Sequence, residues 1–164
     1  MIGTDVSVAA KLLQSGKLVA IPTETVYGLA ANALDATAVA KIYAAKQRPS
    51  FNPLIVHIAD TDKVLNYVSD FSPLARQLAK AFWPGSLTIL MPKNDAVPDL
   101  VTAGLPNVAL RVPKHPLTLQ LLSLLDFPLA APSANVSNAV SPTTAKRVEQ
   151  SLGDEVSYIL DGGK

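Results

Sequence analysis

At 164 residues and 17.3 kDa the chain holds one domain, whose core is large enough to be stable without a disulfide or structural metal. Cysteine is absent and the two histidines, His57 and His115, lie far apart, which excludes thiol nucleophiles, redox pairs, iron–sulfur clusters and zinc sites built on Cys or paired His. Fourteen Lys+Arg against thirteen Asp+Glu leave a net +1, so the overall charge does not signal a nucleic-acid or membrane-surface binder, and 49% hydrophobic residues leave apolar surface for a cleft or a partner.

The first element is a helix over about 5–15, where Val8, Leu12 and Leu13 recur before Gly16, and a strand over 18–21 follows it. Asp35 caps a second helix at 36–46 with Val39, Ile42 and Tyr43 inward; a strand at 54–58 and a weaker helix at 61–68 come next. Ser72-Pro73 is a cap followed by proline at the first helical position, opening 73–82. Strands are expected at 86–91 and 108–112, a helix at 117–125 after Pro116, and a strand at 128–131. Thr143 or Thr144 starts a last helix at 144–152, ended by Gly153 before a strand at 158–160. Helices and strands alternate, which predicts a three-layer α/β domain with its sheet covered on both faces. The N-terminus has no basic segment and the apolar stretch 121–132 is broken by Ser123, Asp126 and Pro128, so neither reads as a signal peptide or a membrane span, and a cytoplasmic protein is expected.

The phosphate loop, dinucleotide fingerprint, zincin motif and hydrolase elbow are all missing, so any nucleotide must be held another way. Three polar clusters gather instead where strands end, which is where open α/β sheets place ligands. Pro22-Thr23-Glu24-Thr25-Val26-Tyr27-Gly28 offers two hydroxyls, a carboxylate and a phenol, with Gly28 allowing close backbone approach; it also reads as a turn that satisfies its own backbone. Lys46-Gln47-Arg48-Pro49-Ser50-Phe51-Asn52-Pro53 puts two cations in one proline-fixed loop, suited to a polyphosphate or to capping a helix C-terminus. Ala131-Pro132-Ser133-Ala134-Asn135-Val136-Ser137-Asn138 offers neutral donors for phosphate or ribose oxygens, or turn residues. Within the strands, a period of two puts His57 on the face of Ile55 and Arg111 on that of Ala109 and Asn107. A half-buried Arg111 needs an anion, either a ligand carboxylate or an internal salt bridge, and His57 is equally readable as a hydrogen-bonded core imidazole.

These segments occur in one family in this order: Ile21-Pro-Thr-Glu-Thr-Val-Tyr-Gly-Leu29, Lys46-x-Arg48 with Asn52-Pro-Leu-Ile-Val-His57, and Ser133-Ala-Asn135. Phe82-Trp-Pro-Gly-Ser-Leu-Thr88, Val101-Thr-Ala-Gly-Leu105, Arg111-Val-Pro, Ser141-Pro-Thr-Thr144 and Ile159-Leu-Asp-Gly-Gly163 extend the match from about residue 7 to the end. The chain resembles the YrdC-like threonylcarbamoyl-adenylate synthases, and its Ser-Pro-Thr-Thr and Leu-Asp-Gly-Gly segments look closest to the longer, two-domain members. The resemblance implies one YrdC-like α/β domain over 1–164, a twisted mixed sheet flanked by helices around an open concave cleft. It implies condensation of L-threonine, bicarbonate or CO₂, and ATP with Mg²⁺ into threonylcarbamoyl-adenylate and pyrophosphate, for the threonylcarbamoyl-adenosine modification of transfer RNA. Thr25, His57, Arg111 and Ala131 would then form the threonine pocket, with Arg111 facing the carboxylate. Lys46, Arg48, Asn52, Asn107, Ser133, Asn135 and Ser141 would face ATP, with Lys46 and Arg48 carrying catalysis by offsetting phosphate charge. No protein-bound metal and no membrane contact are implied; RNA binding, where it occurs, is expected to be weak and electrostatic, and tRNA-modification proteins are the expected partners. An RNA-binding module of the same fold, and a carbamoyl-transfer paralogue with another acceptor, are the alternative readings. Family members continue past the Asp-Gly-Gly segment into residues that complete their sites, so the resemblance implies a chain shortened at Lys164.

Overall fold

The computed structural model describes residues 1–164. Eight strands form one mixed sheet in the order β1-β8-β2-β3-β7-β4-β6-β5. They are β1 (Ile2–Gly3), β2 (Val19–Ile21), β3 (Gly28–Asn32), β4 (Ile55–His57), β5 (Ile89–Pro92), β6 (Asn107–Arg111), β7 (Leu129–Ala130) and β8 (Tyr158–Leu160). The helices are α1 (Val6–Gln14), α2 (Ala36–Lys46), α3 (Pro73–Phe82), α4 (Asp99–Thr102), α5 (Pro116–Ser123) and α6 (Ala145–Leu152). No helix is long and apolar enough to cross a membrane.

The caps sit where side-chain oxygens can accept from the first free backbone donors. Asp5 accepts from Ser7 and Val8, Asp35 from Thr37 and Ala38, Ser72 from Ala75, and Thr144 from Arg147. Four differences from the sequence expectation have local causes. The segment after Asp60 is a 3-10 helix, Thr61–Asn66, rather than an α-helix. The strand expected from residue 86 begins at Ile89, because the Leu87 carbonyl is taken by the Trp83 indole N–H and the Gly85 N–H by Val112. The strand β3, Gly-Leu-Ala-Ala-Asn, carries no β-branched residue and so no strand signal, yet it lies at the centre of the sheet between β2 and β7. The two-residue β1 and the single-turn α4 are too short to leave a periodic signal.

Alternation along the strands divides the core in two. Ala20, Leu29, Ala31, Ala130, Val56, Leu110 and Ile159 point to one face, where α2, α3 and α6 contribute Val39, Ile42, Ala79 and Val148. Val19, Ile21, Ala30, Leu129, Tyr158 and Leu160 point to the other, covered by Val6, Ala9 and Leu13 of α1 and by Leu121 and Leu122 of α5. This second helical layer covers β8, β2, β3 and β7 only. Over β4, β6 and β5 the same face carries Ile55, His57, Ala109, Arg111 and Leu90, and no helix closes it. The three-layer architecture therefore holds, with half of one face left open as a cleft.

Leu129 sits at the boundary of the covered half with no exposed surface, whereas Leu90 is 65% exposed on the open half. Leu129→Ala is expected to cost about 2–5 kcal/mol in urea unfolding and Leu90→Ala less than about 1 kcal/mol. Equal losses would contradict the assignment of covered and open faces.

Candidate active site

The floor of the cleft follows from register. Parallel pairing of β4 with β6 sets Ile55 beside Ala109 and His57 beside Arg111, so the imidazole and the guanidinium emerge side by side on the uncovered face. They line a cavity of about 320 Å³ with Thr25, Arg48, Ala131 and Ser133, at the lower end of the roughly 300–1,000 Å³ typical of small-molecule sites.

Arg111 is 8% exposed and its charge is answered within the chain. Its Nη2 donates to Glu24 Oε1 at 2.6 Å and to Thr25 Oγ1 at 3.3 Å, and its Nε donates to the Gly85 carbonyl at 3.1 Å. Nη1 makes no hydrogen bond within the chain, so one limb of the fork is left for a ligand. Glu24 is fixed in turn: its Oε1 accepts from Ser86 Oγ at 3.3 Å and its Oε2 from the Lys114 N–H at 3.0 Å. Burial alone would raise its pKa, but the Arg111 and Lys114 hydrogen bonds outweigh that and hold the carboxyl below its usual range. Of the two readings of Arg111 the structure shows the internal salt bridge, with one limb of the guanidinium left without a partner. The sequence motif contains Glu24, but nothing in its spacing singles it out as the counterion, since it lies 87 positions from Arg111.

His57 is 3% exposed, and its Nδ1 is buried without a partner. Desolvation, helped by the nearby Arg111 charge, lowers its pKa to about 4, so the imidazole is neutral at pH 7. A neutral ring beside a fixed guanidinium can exchange a hydrogen bond with a substrate hydroxyl without adding charge.

The walls are loops tied by their own backbone groups. Thr23 Oγ1 donates to the Val26 carbonyl at 2.6 Å and accepts from the Thr25 and Val26 N–H groups at 3.2 Å, closing a turn that presents Thr25 to the cavity. Gly28 pairs with Ser133, and a Cβ there would sit 3.3 Å from the Ala131 Cβ, so the close approach expected of this glycine is present. Lys46, 1% exposed, reaches behind the opposite wall, where its ammonium donates to the carbonyls of Ser133 and Asn135. No carboxylate neutralises it, and desolvation together with the Arg48 charge lowers its pKa to about 8. Arg48 lines the cavity while its Nε and Nη2 donate to the carbonyls of Asn52 and Pro53.

The other sequence candidates fall around this cavity rather than in its lining. Asn52 is exposed and contributes its carbonyl to Arg48 and Tyr43. Asn107 opens β6 beside an adjoining, mostly apolar hollow of about 270 Å³ that shares Pro53 and Ile55 with the cavity. Asn135 is buried and donates to Val136 and Ala139, with its Oδ1 unpartnered. Ser141 lines a separate polar hollow with Thr143, Arg147 and Gln150.

Because His57 binds its proton more weakly in the folded protein than at its ordinary pKa near 6.5, the unfolded chain takes up a proton that the folded one refuses as pH falls from about 6.5 to 4. Wild-type stability is expected to drop by about 3 kcal/mol across that window from this group. His57→Gln should remove that component of the slope in urea unfolding measured at several pH values. Identical slopes would contradict the buried neutral imidazole.

The Sua5_yciO_yrdC family model, described as telomere recombination, matches residues 11–164. A Bacillus subtilis protein named threonylcarbamoyl-AMP synthase is 52% identical over 156 residues, covering 94% of this chain and 45% of that one. A Pyrococcus abyssi protein of the same name is 48% identical over 159 residues, covering 97% of this chain and 47% of its own length. The crystal structure of P. abyssi Sua5 complexed with L-threonine superimposes with a TM-score of 0.95 at 48% identity, over 97% of this chain and 47% of that one. The chain thus spans about half the length of the curated relatives it matches. Sequence motifs, an eight-stranded mixed sheet and this depth of likeness agree: the chain belongs to the Sua5/YciO/YrdC family.

Proposed function

We propose that this chain carries the site of threonylcarbamoyl-adenylate synthesis, taking L-threonine, bicarbonate or CO₂, and ATP to L-threonylcarbamoyladenylate and pyrophosphate. The observation that carries the reading is the single free limb of Arg111 beside neutral His57 and the Thr25 hydroxyl, in a cavity rimmed by Arg48. A relative 48% identical to this chain has been solved with L-threonine, which supports assigning that pocket to the amino acid.

In this reading Nη1 of Arg111 receives the substrate carboxylate, and Thr25 and His57 meet the side-chain hydroxyl. The α-ammonium gives one proton to solvent, and the neutral amine then adds to CO₂: an N–C bond forms as one C–O π bond opens, and the nitrogen releases a second proton to solvent to leave the carbamate. One carbamate oxygen then attacks the α-phosphorus of ATP; a new P–O bond forms as the bond to the β-phosphate's bridging oxygen breaks, and pyrophosphate leaves. No covalent enzyme nucleophile is needed, so the chain's task is alignment and charge neutralisation. Arg48 lines the cavity as a cation with no carboxylate partner, available to phosphate oxygens, Ser133 offers a neutral donor, and Lys46 adds positive field from behind the wall while fastening Ser133. In the same reading Asn107 and Ser141 meet the nucleotide in the neighbouring hollows they line, while Asn52 braces Arg48 through its carbonyl and Asn135 braces its own loop. ATP would enter as its Mg²⁺ complex, the metal helping to offset the charge of the phosphates. The product feeds the threonylcarbamoyl-adenosine modification of transfer RNA.

Incubation with labelled bicarbonate, ATP and an amino acid, followed by pyrophosphate detection, tests the reading. The expected order is threonine, then serine, with valine poorest, because valine leaves the buried hydroxyl partners unpaired at about 1–3 kcal/mol each while serine loses a methyl contact of roughly 1 kcal/mol. Arg48→Ala should weaken ATP binding about tenfold or more. Valine used as well as threonine, or no amino-acid dependence at all, would overturn the assignment.

A further inference from the structure

Tyr27 is 3% exposed and belongs to none of the contacts just assigned, yet three segments meet on it. Its N–H donates to the Pro142 carbonyl at 2.9 Å, next to Ser141, and its carbonyl accepts from the Ala134 N–H at 2.8 Å, between Ser133 and Asn135. Its phenol oxygen accepts from the Gly162 N–H at 3.0 Å and donates to the Gly163 carbonyl at 2.8 Å, with Asp161 Oδ1 as a second acceptor at 3.2 Å. Burial, with the Asp161 charge adding to it, raises the phenol's pKa, which keeps the donor proton in place. The same short segment also packs against the other end of the cavity loop: a Cβ on Gly162 would lie 2.7 Å from the Pro22 Cβ and 2.6 Å from His115 Cε1. Pro22 is itself held through its carbonyl by the Thr118 hydroxyl. The loop that presents Glu24 and Thr25 is thus gripped at both ends by residues 161–163.

We propose that Tyr27 is a positioning residue, its hydroxyl coupling the Asp161–Gly163 segment to the loop that sets Thr25 and Glu24 against Arg111. The inference rests on the amino-acid-pocket reading above and extends it to residues that touch no substrate. Tyr27→Phe keeps the ring and both main-chain bonds and removes only the hydroxyl's links to residues 161–163.

Two measurements on the 164-residue chain separate this role from plain stabilisation. Tyr158→Phe is the control: it also removes a buried phenol's hydrogen bond, to the Asp5 N–H at 3.0 Å, on the helix-covered half of the sheet. In amide hydrogen exchange, Tyr27→Phe is expected to speed exchange at Thr25, Val26 and Gly162 by about tenfold, and Tyr158→Phe to leave Thr25 and Val26 unchanged. In calorimetry with L-threonine, Tyr27→Phe is expected to weaken binding about tenfold in the wild-type background and by far less in a Thr25→Val background, since a misplaced residue cannot be lost twice. Unchanged exchange at Thr25 and Val26 overturns the coupling whether or not L-threonine binds. Failure of the unsubstituted chain to bind L-threonine, with the exchange effect present, removes the pocket reading and leaves the coupling standing. Additive losses in the two backgrounds overturn the positioning of Thr25. Gly162→Ala, which forces the segment off Pro22 and His115, is the second variant and should reproduce the exchange change.

Discussion

A guanidinium buried against a sheet can stay only if its charge is answered at once, because an unpaired ion there costs several kcal/mol and breaking a buried pair typically costs about 3–5 kcal/mol. The 2.6 Å contact between Arg111 and Glu24 supplies that answer, and much of the surrounding structure follows from it. Glu24 must arrive from a loop above the sheet, so residues 22–28 leave β2 and fold over the floor before rejoining as β3. Gly85, Ser86 and Lys114 close around the pair from the other side. With Nη2 and Nε both engaged, Arg111 cannot swing, and what it shows a ligand is one limb in one direction. A pre-set donor of this kind spares the ordering cost that a mobile arginine would incur on binding.

The second constraint is the incomplete helical layer. Strands β4 and β6 have the same two-sided alternation as β2 and β8, but α1 and α5 stop short of them, so the residues that would have been a second core become a cleft floor. Polar residues at His57 and Arg111 are tolerable there because the site is enclosed by loops rather than by helices. The opposite wall uses an unusual fastener: a lysine ammonium without a counterion, bonded to two main-chain carbonyls. That arrangement leaves residual positive charge next to the place where phosphate is proposed to lie.

The sequence showed α2, α3 and α6 well because their caps are chemical: Asp35, Ser72 and Thr144 each accept from the donors a helix start leaves free. It showed that His57 shares a face with Ile55 and Arg111 with Ala109, since period two needs only the strand assignments. The register that puts His57 beside Arg111 is a tertiary fact and came with the sheet. The central strand β3 was hidden because its glycine and alanines are depleted in strands, while its place in the sheet is set by backbone pairing with β2 and β7. Lys46 and Arg48 are a cationic pair in sequence; the structure separates them, one behind the wall and one in it, a difference set by the direction in which α2 ends and not by composition. The roles of Glu24 and Tyr27 depend on partners 87 and about 135 positions away, which no local pattern encodes.

The central claim is that Arg111, held by Glu24, reads a carboxylate through its one free limb. Comparing L-threonine with L-threoninamide by calorimetry on the same chain tests it most directly, since the two ligands share the side chain and differ in the carboxylate. The amide is expected to bind at least about tenfold more weakly, the loss of one charge-assisted hydrogen bond of about 1.5–3 kcal/mol. Equal affinity for acid and amide would contradict the account.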